Sequence, residues 1–274
     1  MASRVTGWVH GDGTSMAASD GALGYAGGMN YRLHGLGLWL SLTLLCGCAA
    51  RETDVGAASQ SSEPAPAAAE QPWYEPEIRT FEAADRASPP RSGMVLFVGS
   101  SSVRMWETLE RDMAPAPVLK RGFGGSRTGE VLAVFDRIVR PYEPRVIVYY
   151  CGDNDLGTDN TDSEGAAEGF VTFDRRAREL WPDVRVLYIA IKPSVARWRN
   201  WDAMRRANEI VRAYCERTPG AAYLDIATPM LGSDGTPDPS LFLGDGLHLN
   251  AKGYAVWTGV VRDPVVRAWQ ETVP

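Results

Sequence analysis

The strongest constraint on the fold is a period that switches back and forth along the chain. Short apolar runs at Met94–Val98, Pro117–Lys120, Arg145–Cys151, Val184–Ala190 and Ala221–Asp225 alternate with stretches of helical period. Val103–Asp112 carries Trp106, Leu109 and Met113 on one side, and Thr128–Arg140 repeats apolar residues from Val131 to Ile138 before stopping at Pro141. Further helical patterns span 163–180 and 200–217, the latter turning Met204, Ile210, Val211 and Tyr214 inward. A Pro/Gly-rich loop at 227–247 leads to a last helix near 250–268. The nearly unbroken apolar run Arg145–Cys151 is expected of a strand buried on both faces. Strands alternating with helices predict a three-layer α/β/α domain around a parallel sheet of about five strands, with right-handed crossovers. In such sheets chemistry gathers at the carboxyl ends of the strands. The roughly 200 residues of 73–274 are enough for one substantial core.

Composition narrows the function. The net charge is −6 and no basic block offsets it, which argues against a nucleic-acid partner held by phosphate contacts. Four cysteines are too few for a disulfide scaffold, and their spacing suits no zinc site; no metal or organic cofactor is expected. Cys151 and Cys215 fall on a buried strand and a helix, where free thiols are common.

The N-terminal part reads as an address. Leu36–Cys48 is an apolar run of about a dozen residues, too short for a membrane-spanning helix of roughly 20 and suited to the core of an export signal. Its end, Leu45-Cys46-Gly47-Cys48, resembles a bacterial lipobox, which makes Cys48 the lipidated residue and 29–48 the signal. Residues 1–28 fit no such signal, and Met29 lies at the right distance from Cys48 to be the true start. Residues 49–72 are small, polar and Pro-dotted, a composition that cannot offset ordering entropy, and are expected to act as a flexible tether. Ala49, where inner-membrane retention would call for Asp, points to a cell-envelope protein anchored through Cys48 in the outer membrane.

Four segments carry polar residues at the places where a parallel sheet would gather them. Gly99-Ser-Ser-Ser-Val-Arg104 follows a strand and opens a helix, so its serines either cap that helix or place a hydroxyl at its start. Arg121-Gly-Phe-Gly-Gly-Ser-Arg-Thr-Gly129 can bring backbone N–H groups close to a ligand, but it lacks the spacing of a nucleotide-binding loop. Tyr150-Cys-Gly-Asp-Asn-Asp155 ends the most buried strand. Asp153, Asp155, Asp159 and Glu164 have part of a calcium-loop spacing, but Thr158 stands where that loop needs Gly. Leu243-Gly-Asp-Gly-Leu-His-Leu-Asn250 holds His248, the only histidine after residue 34, three residues past Asp245.

Together these blocks resemble the SGNH hydrolases, also called GDSL esterases or lipases. The family carries a nucleophilic Ser, a Gly, an Asn in Gly-x-Asn-Asp and a C-terminal Asp-x-x-His, and the matching residues here are Ser101, Gly125, Asn154, Asp245 and His248, in family order. The resemblance covers 73–274. One departure is Ser100, which stands where the family has an acid. The resemblance implies a flavodoxin-like sheet and a serine ester hydrolase. Ser101 would attack an acyl carbonyl, His248 would carry the proton, Asp245 would orient the imidazole, and the Ser101 N–H, Gly125 N–H and Asn154 amide would hold the oxyanion. The expected substrates are small-molecule or glycan esters with short acyl chains, or envelope lipids. Arg104, Trp106, Arg127, Trp198, Trp201 and the loop 227–244 are candidates to shape the cleft, with core packing or interface burial the alternative for the tryptophans. Acyl transfer to another alcohol would use the same residues; a glycan-binding protein without turnover has no need of all five.

Overall fold

The computed structural model describes residues 71–272, and the account below is confined to them. The extension 1–28, the signal 29–48 with Cys48 and nearly all of the tether 49–72 lie outside these residues. The chain enters through α1 (Glu75–Ala87), then alternates: β1 (Val95–Gly99), α2 (Ser101–Arg104), α3 (Leu109–Asp112), β2 (Val118–Gly122), α4 (Thr128–Ala133), α5 (Phe135–Ile138), β3 (Val146–Tyr150), α6 (Ser163–Leu180), β4 (Arg185–Ile189), α7 (Trp201–Glu216), β5 (Ala221–Leu224) and α8 (Ala251–Glu271). The strands form one parallel sheet in the order β2-β1-β3-β4-β5. This is the doubly wound order in which the chain direction reverses between β1 and β3, so a crevice opens beyond the ends of those two strands.

Strand alternation divides the core in two. Leu96, Val98, Ile147, Tyr149, Val186 and Tyr188 face one layer, with Phe135, Phe170, Phe173 and Val211 from the helices. Val95, Phe97, Val148, Tyr150, Leu187 and Ile189 face the other, with Trp106, Tyr254, Trp257 and Val261. Both strand faces are apolar because both are covered. Aromatic contacts tighten each layer: Trp106 stacks on Tyr254 at 5.5 Å and meets Trp257 edge-on at 5.7 Å, pairs worth about 0.5–1.5 kcal/mol beyond their burial.

Three local outcomes depart from the sequence pattern. The helix expected over 103–112 is two single turns, because Trp106 is drawn fully inward and the Asp112 carboxylate gathers the Trp106 Nε1–H at 2.8 Å, the Thr108 hydroxyl at 2.5 Å and the Thr258 hydroxyl at 3.2 Å. Such side-chain bonding competes with a continuous helix. The helix expected over 128–140 steps at Val134 and ends in a 3₁₀ turn that carries Pro141 at its start, where a missing N–H costs nothing. Helix α1, which begins with Pro76 and an acidic first turn, is an additional element. Arg137 fastens it through Glu75 at 2.6 Å and Glu82 at 2.6 Å, and Arg121 pairs with Asp85. The Arg137 and Arg79 hydrogen bonds pull the Glu75 carboxyl down to about 2. Cys151 and Cys215 are both free and buried.

Candidate active site

β1 and β3 end side by side, and their close approach sets the site. Gly99 pairs with Tyr150, and a Cβ on Gly99 would lie 1.8 Å from the Tyr150 carbonyl oxygen. Only glycine permits the turn that follows, which puts extended Ser100 before the first turn of α2 and Ser101 at its start. Ser101 is largely buried, but it lines an open cleft of about 400 Å³ with Trp73, Glu77, Arg104, Gly125, Asn154 and His248 among its walls.

The structure brings Ser101, His248 and Asp245 into one hydrogen-bonded row. Ser101 Oγ lies 3.0 Å from His248 Nε2, and His248 Nδ1 lies 2.6 Å from Asp245 Oδ2. The other carboxylate oxygen, Oδ1, accepts from the backbone N–H of Leu247 and of His248, both at 2.9 Å. The His248 side chain, and after it the Leu247 N–H, hold the Asp245 carboxyl down at about 2, so it is a carboxylate at any working pH. The loop is closed by Leu243 N–H bonding to the His248 carbonyl at 2.7 Å. Asn250 then caps α8 through the N–H groups of Lys252 and Gly253, and its amide donates back to Ser240 and Phe242. Tyr254, one turn into α8, donates its hydroxyl to the Ser102 carbonyl at 3.0 Å. That bond ties the serine turn to the helix that follows His248.

The second half of the site is a set of donors. The backbone N–H groups of Ser101 and Gly125 have no acceptor among the described residues, and Gly125 is exposed with φ +68°. Asn154 Nδ2 donates to the Ser126 carbonyl at 3.0 Å, and Asn154 Oδ1 accepts from Arg197 at 2.9 Å. Asp155 takes the Thr128 hydroxyl at 2.6 Å and the Thr128 N–H at 3.0 Å, which fixes the far end of the same glycine loop. Burial, only partly offset by these bonds, raises the Asp155 carboxyl above its ordinary range. Beneath lies Asp153, fully enclosed, paired with Lys192 at 2.7 Å and Arg197 at 3.4 Å. Burial pushes its carboxyl up, but the two cations outweigh this and hold it below the ordinary value.

The fragment of calcium-loop spacing is dispersed, since Asp153 pairs with Lys192, Asp155 with Thr128, Asp159 with Arg199 and Glu164 with Arg206. Among the expected cleft residues, Arg104 lines the cleft and the rest do not. Trp106 is core, exposed Arg127 stands at the start of α4 with its backbone N–H donating to Glu130 at 2.9 Å, and Trp198 and Trp201 stack on each other at 5.9 Å. The loop 227–244 stays outside the cleft wall. What the sequence did not single out is the wall made by α1 and Arg197. Glu77 accepts from the Gly124 N–H at 3.2 Å and from Arg104 at 3.1 Å. The Trp73 ring lies where a Cβ on Gly125 would meet it at 3.3 Å, and its indole N–H bonds Glu130 at 3.1 Å. The Pro-and-acid signature of α1 was the available signal for Glu77.

The profile of the GDSL-like Lipase/Acylhydrolase family matches residues 94–256. The chain belongs to this family. The alpha1 subunit of platelet-activating factor acetylhydrolase IB from Bos taurus is 30% identical over 169 residues, covering 58% of this chain and 69% of that protein. A GDSL-like lipase from Bacteroides thetaiotaomicron VPI-5482 superposes with a TM-score of 0.60 at 17% identity, over 70% of this chain and 98% of the other. A carbohydrate esterase family 3 protein from Talaromyces cellulolyticus superposes at 0.53 and 14% identity, over 66% and 100%. As a GDSL acylhydrolase the protein is a hydrolase of ester bonds, and its five-stranded sheet is the fold of these neighbours.

Proposed function

We propose that the protein is a serine esterase of short acyl esters on glycans or envelope lipids, working through Ser101, His248 and Asp245. The observation that carries this reading is the row Asp245–His248–Ser101, with contacts of 2.6 Å and 3.0 Å, opening into a cleft that also holds unpaired N–H groups. Ser101 Oγ attacks the acyl carbonyl as His248 Nε2 takes its proton. Asp245 fixes the imidazole with Nδ1 protonated and stabilises the imidazolium. The oxyanion is received by the Ser101 N–H, the Gly125 N–H and Asn154 Nδ2. Collapse expels the alcohol, which takes the proton from His248; water, activated by the same imidazole, then releases the acid and restores Ser101. Every step is a proton or acyl transfer among these groups.

The cellular setting belongs to the same reading. The apolar run ending at Cys48 and the tether after it support export and a lipid anchor in the cell envelope, which favours envelope esters as substrates. Turnover of p-nitrophenyl acetate and labelling by a fluorophosphonate test the chemistry on a soluble form beginning at Gln71. Wild type should turn over and label, and Ser101→Ala should do neither. A folded wild type that does neither would overturn the proposal.

A further inference from the structure

We infer that Arg197 is a positioning residue that holds the Asn154 carboxamide in the one orientation useful for oxyanion binding. The inference rests on the proposed role of Asn154. A carboxamide has an acceptor end and a donor end of nearly equal shape, so its partners decide which end faces where. Here the partners are unambiguous. Arg197 can only donate, and its Nη2 lies 2.9 Å from Asn154 Oδ1. The Ser126 carbonyl can only accept, and it lies 3.0 Å from Asn154 Nδ2. This uses one N–H and leaves the other on a side chain that lines the cleft. A flipped amide would set donor against donor at Arg197 and acceptor against acceptor at Ser126, and would turn a carbonyl oxygen toward the developing oxyanion. Without Arg197 only the Ser126 contact opposes that flip.

Arg197 is itself held in place. Its Nη1 donates to the Asp153 carbonyl at 2.6 Å and lies 3.4 Å from the Asp153 carboxylate. Asp153 is pinned in turn by Lys192, a cation 1% exposed whose ammonium also donates to the Tyr150 hydroxyl at 3.1 Å. The guanidinium lies across Gly157, where a Cβ would meet it at 2.5 Å. The planar fork of arginine spans the Asp153 carbonyl and the Asn154 oxygen at once, which a lysine ammonium on a single axis does not. The Asp153–Lys192 pair survives removal of Arg197, so the buried carboxylate keeps a cationic partner and the fold keeps its core.

The test is a double-mutant cycle on p-nitrophenyl acetate hydrolysis, using Arg197→Gln, Asn154→Ala and the pair, with thermal melts on each. Arg197→Gln should lower kcat roughly 10- to 100-fold with KM little changed, as a misplaced group does. Asn154→Ala should lower it about 10²–10³-fold, as loss of one oxyanion donor does. The pair should be no slower than Asn154→Ala alone, because Arg197 then has nothing to hold. Arg197→Lys should recover only part of the rate. If the two losses multiply, or if Arg197→Gln keeps the wild-type kcat, Arg197 does not act through Asn154 and the inference fails. A wild-type rate in Asn154→Ala would remove the oxyanion role of Asn154 itself. Should Arg197→Gln not fold, the same cycle run with Arg197→Lys gives the same two outcomes.

Discussion

The two halves of the cleft are built in opposite ways. The Asp245–His248 half is local: the carboxylate binds two N–H groups and the imidazole within three residues of itself, and it stays half exposed. The donor half is assembled from distant parts of the chain. Asn154 reaches Ser126, Asp155 reaches Thr128, and Arg197 returns to both Asn154 and Asp153, in a network that is part-buried throughout. A short turn can therefore carry the acid–base geometry by itself, whereas the donor geometry exists only once the sheet and its loops have closed. The first half is expected to fail by loss of chemistry with the fold intact, and the second by loosening of a network.

The largest effect should come where the halves meet. Ser101→Ala is expected to lower kcat by about 10⁴–10⁶ with no change in melting temperature, measured by steady-state hydrolysis beside a thermal melt. Asp245→Asn should follow at roughly 10⁴, because the imidazole loses its fixed tautomer; a loss as small as tenfold would mean that the local half is not organised by its carboxylate. Asn154→Ala is expected at about 10²–10³, and a larger loss than for Asp245→Asn would reverse the ranking of the two halves. Asp155→Ala removes the anchor of the glycine loop and should cost roughly 10- to 100-fold in kcat. It should also lower the melting temperature, and by more than Asp245→Asn does at neutral pH.

The smallest effect is a pH dependence. The Asp245 carboxyl is held at about 2, below its ordinary 3.8, so its contribution to stability is fully present above about pH 4 and is lost as the pH falls through 2. Partial exposure keeps that contribution small. Melts of wild type and Asp245→Asn should therefore differ slightly at pH 5 and converge as the pH falls below 2. A difference that persists undiminished below pH 2 would mean that the turn is held by something other than the ionised carboxylate.

The same contrast explains what could be read in the chain beforehand. The sheet was legible because its strands are buried on both faces and stand out as apolar runs, Arg145–Cys151 above all. Asp245 and His248 were legible because their contact is a three-residue spacing. Arg197 and Glu77 were not, since each reaches its partner across more than 40 residues, with Arg197 43 from Asn154 and Glu77 47 from Gly124. Periodicity carries no trace of such a contact. Trp106 was left between two readings for a related reason: a tryptophan beside the serine turn can be a cleft wall or core, and the packing of Tyr254 and Trp257 claims it for the core.

The segment ahead of β1, Trp73 and helix α1, has a consequence for how the cleft can be reshaped. Trp73 and Glu77 stand in the cleft wall beside Gly124 and Gly125, yet both precede residue 94, where the family match begins. The wall is thus built partly from residues outside the matched span, while Arg104, Gly124, Gly125 and Arg197 in the same wall lie within it. A change at Trp73 or Glu77 would therefore reshape the opening beside Gly124 and Gly125 without altering any residue of the segment that holds Ser101, Asn154, Asp245 and His248.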